Sequence, residues 1–373
     1  MIKYANYELT FLYNNKDLGI DNLLFERFTI VNEIDNIITY YLLELTNSFL
    51  FMSNVNIVTG EKIEMKLVWY KRDDDGKEVE DGVFTKELYI YNFILKDNRV
   101  SIMFLDEVGV KMFNRVDNVY VGNVSNVLNK ICDELGIKKR EIYNDNTSMS
   151  VYHKSDINYY VFIKNVLWNS NGGYFFVNKK GIAKFDLFKN IKNITSRYTL
   201  SNILFKYISI ENRIFEFNLL SGFNNNIYYF DWEKGKMMKK EYKIINDSDY
   251  GVGVYLNLSN SFDNSFYGGI VNSYNKIDKD ILENRGINNV IYKNIAKLAV
   301  YLSVNGGYVD VDMGDKIKVD FVNLFDRSNY VLTGEYFVYR VNLELTAKGV
   351  MHNYTLLSSY IFDKFDLYKG VVK

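Results

Sequence analysis

Few residues in this chain could carry chemistry. Its two histidines, His153 and His352, lie far apart, and Cys132 is the single cysteine. A Cys–His nucleophilic pair needs thiol and imidazole within hydrogen-bond reach. Cys132 falls inside a predicted helix, near its apolar face, where a thiol packs as a small hydrophobe. His153 precedes a second predicted helix and reads as a polar contact rather than a base. Two histidines on one helical turn, the zinc-hydrolase spacing, do not occur. Asp310-Val-Asp312-Met-Gly314-Asp315 has a faint calcium-loop look. Its glycine comes one place early and the twelfth position is Phe321, so a turn between two strands is the better reading. Asp73-Asp74-Asp75 reads as a solvated hairpin tip, the other reading being a surface cation site. Gly251-Val-Gly253 lacks the third glycine of a dinucleotide fingerprint, and no phosphate-binding loop is present. With 46 acidic residues some carboxylates fall close together, as a glycosidase requires, yet nothing singles out a pair. We therefore assign no catalytic, cofactor-binding or metal residue, and expect no enzyme and no cofactor.

The elements that hold these residues are mostly strands. At 373 residues the chain exceeds what one hydrophobic core supports, which predicts two or more domains. It carries 32 Tyr, 26 Phe and no Pro. Aromatic side chains favour pleated surfaces and interfaces with one wet end. The turns fall to Gly, Asn and Asp, as in Asp75-Gly76, Asn171-Gly172-Gly173 and Asn305-Gly306-Gly307. A formal net charge of −1 gives no basic excess for neutralising phosphates. Met1–Asn6 lacks the apolar stretch of a signal peptide, and no run approaches 18 apolar residues. One cysteine excludes an internal disulfide and suits a reducing compartment.

Alternation in Tyr7–Phe11, Phe25–Ile30 and Lys62–Trp69, with further runs at Glu87–Leu95 and Val100–Leu105, predicts an antiparallel sandwich or barrel over residues 1–118. The pattern then turns helical. Val124, Val127, Leu128, Ile131 and Leu135 share one face, with Ser125 near the start and Gly136 past the end. A polar linker over Lys138–Ser150 and a short strand, Val151–His153, lead to a second helix. That helix is expected from Asp156, its candidate N-cap, to about Asn169, with a stripe of Ile157, Tyr160, Val161 and Leu167. A hairpin follows: Tyr174–Val177, the turn Lys179-Lys180-Gly181, and Ile182–Phe185. Strands resume at Arg213–Leu220 and Asn226–Trp232, and residues 246–285 read as loop. A third helix is predicted over Asn289–Ser303, then strands at Tyr308–Asp312, Lys316–Phe321, Tyr336–Leu345 and His352–Tyr360. No internal repeat of fixed period is visible.

In order and spacing, these middle and late elements resemble the central hub proteins of phage tail baseplates, relatives of the base of type VI secretion spikes. The motifs carrying the resemblance are Gly122–Gly136, Val151–His153 with Ser155-Asp156, and Asn171–Phe176 with Gly181 and Phe185. Further on they are Tyr229–Trp232 with Gly235, Val290–Leu302, Met313-Gly314-Asp315 and Gly334–Val338, covering residues 119 to 358. Residues 1–118 match only in type. The resemblance implies a β-rich α+β chain of two tail-tube-like antiparallel barrels with a helix-containing inserted domain. The expected division is 1–118 for the first barrel and 119–200 for the helix–helix–hairpin insert. The second barrel takes 201–245 and 308–373, and 246–307 supplies a loop and helix packed on the insert. It further implies a homotrimer in a virion, made in the host cytoplasm, with six related barrels in a ring. The implied partners are a tail tube on one face, a spike on the other, wedge proteins around it, and DNA and tape-measure protein passing through. The alternatives are a tail-tip cell-wall hydrolase, for which the chain leaves little room before Lys373, and a receptor-binding tail protein.

Overall fold

Strict alternation of apolar side chains builds the first part of the molecule. The computed structural model describes residues 1–4, 6–46, 58–116, 118, 120–145, 148–152, 157–169, 173–196, 198–201, 205–212, 226–231, 234–241, 270–271, 298–306, 310–320 and 333–358. Eight strands come first: β1 (Ile2–Tyr4), β2 (Tyr7–Tyr13), β3 (Lys16–Asp17), β4 (Phe25–Glu33), β5 (Tyr40–Thr46), β6 (Lys62–Arg72), β7 (Glu78–Lys96) and β8 (Arg99–Asp106). In β2 every second side chain, Tyr7, Leu9 and Phe11, is buried, and in β4 so are Phe28 and Ile30. They meet Met65, Leu67 and Phe104 in one core, as a period of two requires of a half-buried strand. The spatial order is β2-β6-β7-β8-β5-β4, antiparallel throughout. The β6–β7 tip is the expected acidic hairpin. Asp73 Oδ1 accepts from the N–H groups of Asp75 (3.1 Å) and Lys77 (2.8 Å), and Gly76 takes φ +78°. Among the described residues no three His, Cys, Asp or Glu side chains are arranged to hold a metal ion.

A short helix, α1 (Glu107–Met112), follows β8 and was not expected from sequence; the Asp106 carboxylate caps it by accepting from Gly109 N–H at 2.8 Å. The insert then contains β9 (Tyr120–Asn123), α2 (Val124–Glu134), β10 (Arg140–Ile142), β11 (Ser148–Tyr152), α3 (Tyr159–Asn169), β12 (Gly173–Val177) and β13 (Ala183–Leu187). The N-cap of α2 is Asn123 rather than the neighbouring Ser125. Its C-terminus is a Schellman turn: Gly136, at φ +74°, lets Ile137 N–H reach Cys132 O at 2.8 Å. The expected polar linker holds β10 and part of β11. Helix α3 starts at Tyr159, later than expected, and Asn158 Oδ1 caps it through Val161 N–H at 3.0 Å. Its buried face is Phe162, Ile163 and Val166, while Val161, expected on that face, is exposed. The helix is apolar on most sides, so a stripe chosen from sequence had no unique solution. His153 and Asp156 lie outside the described residues.

The last elements are β14 (Tyr198–Ser201), β15 (Phe205–Asn212), β16 (Asn226–Asp231), β17 (Lys236–Glu241), β18 (Ile270–Val271), β19 (Leu298–Asn305), β20 (Lys316–Asp320), β21 (Gly334–Thr346) and β22 (Gly349–Ser358). Strands β16, β17 and β18 form a separate small sheet. The helix expected over Asn289–Ser303 is strand β19 over its described part. Ala299, Val300, Leu302 and Val304 are buried and the strand is paired on both sides, by β15 and β22. Leu298, Ala299 and Leu302 also recur at helical spacing, and over so short a stretch periodicity cannot tell strand from helix. Asp310, Val311 and Asp312 form no strand, contrary to the expected Tyr308–Asp312; they lead into a turn in which Asp315 N–H donates to Asp312 O at 3.2 Å and Gly314 takes φ +76°. The expected strand Arg213–Leu220, Gly251 and Gly253 lie outside the described residues. No helix among the described residues is long and apolar enough to cross a membrane.

The second half repeats the first. Its spatial order is β14-β20-β21-β22-β19-β15, and the six strands occur in the chain in the same order as β2, β4, β5, β6, β7 and β8. Both halves end in a hairpin with a two-residue turn, Lys96↔Arg99 and Thr346↔Gly349. The β4–β5 and β15–β19 ladders each shift register just inside their Phe residue, at Phe25 and Phe205. Among the described residues the pairing of β14 with β20 departs, being parallel where β2–β6 is antiparallel.

Candidate functional site: the junction of the two halves and the insert

The two halves meet through main-chain pairing. Strand β4 continues antiparallel into β21, from Arg27↔Thr346 to Glu33↔Arg340, so one 14-stranded sheet spans both. The β21–β22 hairpin serves two cores. Tyr336, Val338 and Leu356 pack with Val300, Ile317 and Val319 of the second half. Leu343, Leu345 and Val350, nearer the turn, pack with Phe28, Leu43 and Phe104 of the first. Tyr7 OH closes the far side by donating to Thr346 O at 2.8 Å.

The insert's β12–β13 hairpin docks at the same place. Val177 N–H donates to Ile37 O at 2.6 Å, and Thr39 Oγ1, which donates to Asn32 Oδ1 at 2.6 Å within the first half, also stands 3.4 Å from Val177 O. Ile37 takes φ +60°, a region that costs a β-branched residue about 1–3 kcal/mol. Burying its side chain in the core of the insert gains about 1.5–3 kcal/mol, enough to hold the conformation. At the tip, Asn178 Oδ1 accepts from Lys180 N–H (3.0 Å) and Ile182 N–H (2.9 Å), shaping the turn with Gly181. Its amide donates to Asp312 Oδ2 at 2.8 Å, and Lys180 pairs with Asp310. From the first half, Lys86 Nζ reaches Lys179 O at 3.2 Å and Asp106 Oδ2 at 2.9 Å. Lys179 is buried, and that burial lowers its affinity for a proton, against the pull of Asp312. Burial raises the Asp312 carboxyl, while Lys179 and the Met313 N–H lower it. Tyr174, Phe176 and Phe188 of the insert pack on Met313 and Phe337. A Cβ on Gly314 would stand 3.0 Å from the Phe176 ring, so this approach needs glycine for space as well as for φ.

Among its described residues the junction supplies no nucleophile–base pair. Asp106, Asp310 and Asp312 are all engaged in caps or cross-element contacts, and the chemistry available is adhesion: three pieces held in one geometry by buried polar contacts. Sequence reading saw Lys179-Lys180-Gly181 and Asp310–Asp315 as turns and missed that they meet. Nothing local signals it, because the partners Asn178 and Asp312 are 134 positions apart. His352 sits buried in β22, stacked on Tyr354. Cys132 lies fully buried in α2, and burial pushes its thiol up to about 12. Thiol reagents at pH 8 are therefore expected to leave native Cys132 unlabelled over hours and to label it within minutes in denaturant; fast native labelling would contradict this burial.

No protein-family model matches the sequence, and no curated protein sequence matches it. Solved structures do. The 43 kDa tail protein of prophage MuSo2 from Shewanella oneidensis is similar over 94% of this chain and 98% of its own, with TM-score 0.58 and 11% identity. A tail protein from Neisseria meningitidis MC58 gives the same score and identity over 94% and 96%. A chain of the half-lidded Francisella PdpA–VgrG complex is similar over 96% of this chain and 59% of its own, with TM-score 0.50 and 12% identity. At such identities the likeness is one of fold. The class is a β-rich fold with an inserted helix-containing segment, shared with these tail proteins, as the motifs of residues 119–358 implied. Within it, this chain is similar to phage tail proteins over nearly its whole length, including the first 118 residues that had matched only in type.

Proposed function

We propose that this chain is the structural hub of the tail baseplate of a phage or phage-like injection particle. Three copies form a ring of six related barrels, joining a sixfold tail tube on one face to a threefold spike on the other. The observation that carries this reading is the repeated strand order of the two halves. Two like units per chain let a trimer present near-sixfold symmetry, which a single-unit chain cannot do. The second unit comprises strands β14, β15 and β19 to β22, and the insert, from β9 to β13, sits against both units. The role is non-enzymatic. Wedge proteins bind the ring from outside, the protein resides in the virion after synthesis in the host cytoplasm, and DNA and tape-measure protein traverse the ring. A near-neutral wall suits that passage, since a basic lining would retain phosphates.

The test is sedimentation of the purified chain, alone and with its spike protein. A trimer is expected. A strict monomer in both conditions would sink the hub reading, and clearing of peptidoglycan in a zymogram would sink the non-enzymatic role.

A further inference from the structure

Among the described residues the chain makes one junction with itself whose counterpart is left open at both ends. Inside the chain, the second strand of the first half, β4, pairs with the outer edge of the fifth strand of the second half, β21. The equivalent strands are β15 and β7. Among the described residues β15 ends the sheet, paired only with β19. On β7, the edge facing β6 is paired as far as Ile90, which exchanges main-chain hydrogen bonds with Gly60 and Glu61, and among the described residues Tyr91–Lys96 have no neighbour on that side. Burial differs accordingly. Aligned at the two hairpin turns, Leu95 stands where Leu345 does. Leu345 is 0% exposed, whereas Leu95 is 47% exposed and its neighbour Ile94 61%. An open, apolar strand edge is a template for another chain.

We propose that β15 of one copy pairs antiparallel with Tyr91–Lys96 of β7 in a second copy, repeating between chains the β4–β21 junction made within each. The ladders give the register. Asn342 opposes Val31, Val31 opposes Tyr40, and Tyr40 opposes Leu105. In the other half Thr355, the counterpart of Leu105, opposes Tyr301, which opposes Ser209. Asn92 is the counterpart of Asn342, so Asn92 of one copy faces Ser209 of the next. The contact is head-to-tail, with different surfaces on its two sides, and such contacts generate rings when the rotation closes. Closure at three copies rests on the hub reading; the strand pairing does not.

Antiparallel partners stand about 4.5–5.5 Å apart at Cα, within disulfide range. The double variant Asn92→Cys/Ser209→Cys, mildly oxidised after assembly at tens of micromolar with and without the spike protein, is expected to give a covalent ladder ending at three copies. Either single variant is expected to remain uncrosslinked. Leu95→Asp, at an exposed position, is expected to keep the native circular dichroism and to raise the concentration for half-association at least tenfold. Trimers in sedimentation without the ladder, or with Leu95→Asp assembling like the parent, would overturn this pairing and leave the hub reading standing. Monomers throughout would overturn both.

Discussion

Leu345→Ala is expected to lower stability by about 2–5 kcal/mol, the cost of a large-to-small change at a packed site, and to lower it in the first half of the molecule. The side chain belongs by sequence to the C-terminal hairpin, yet it is fully buried against the core of β2, β4, β5 and β8. Trp69 in β6 is a buried reporter of that core. In a chain with Trp168→Phe and Trp232→Phe, urea unfolding followed by the remaining fluorescence should shift to lower denaturant with Leu345→Ala. Val338→Ala, nearer the strand's start, removes contacts in the second core instead. If β21 joins the halves into one cooperative unit, both variants move the Trp69 transition. If Leu345→Ala leaves it in place, the hairpin does not complete the first core.

Asp106→Ala is the other severe substitution. This carboxylate caps α1 and pairs with Lys86 at 2.9 Å, with side chains 6% and 19% exposed. Removing it loses a cap, typically about 1 kcal/mol, and strands a partly buried ammonium. Breaking one side of such a pair costs about 3–5 kcal/mol, most of it the desolvation of the charge left behind. Lys86 also holds Lys179 O, so the loss should reach the docked insert hairpin. Asp106→Asn keeps a capping oxygen and should lose less. Lys86→Met/Asp106→Asn, with neither charge present, should recover much of the difference. Thermal or urea unfolding of the cycle checks this, and additive effects would show that the two charges are not coupled.

How far the sequence could be read depended on the range of the interactions involved. Helix α2 was legible because periodicity, Gly136 and the turn beyond it are local. Strands β2, β4, β6, β7 and β8 were legible because apolar and polar residues alternate along them, whereas β5 was missed because its outward positions include Tyr40 and Leu42, which hide the period of two. Helix α1 was missed because six residues leave too little pattern, although Asp106 stood ready as its cap. Strand β19 was misread because Leu298, Ala299 and Leu302 also fit a helical spacing, although Val300, Leu302 and Val304 alternate as buried positions.

The stretch of Gly122–Phe188 and the aromatic, proline-free composition were enough to predict a β-rich chain with a helical insert. They also argued against a Cys132–His153 or Cys132–His352 pair, and the structure puts Cys132 in an apolar core. Only the tertiary structure showed that the halves repeat. Strand order carries no residue signature, since any apolar side chain fills an inward position and the two halves share no visible sequence period. Only the tertiary structure, likewise, brought Asn178 to Asp312, Tyr7 to Thr346 and Leu345 to Phe28, contacts that depend on the path of the whole sheet. A residue's propensity is set by its neighbours in the chain, but its partner in a sheet of this length is set by topology.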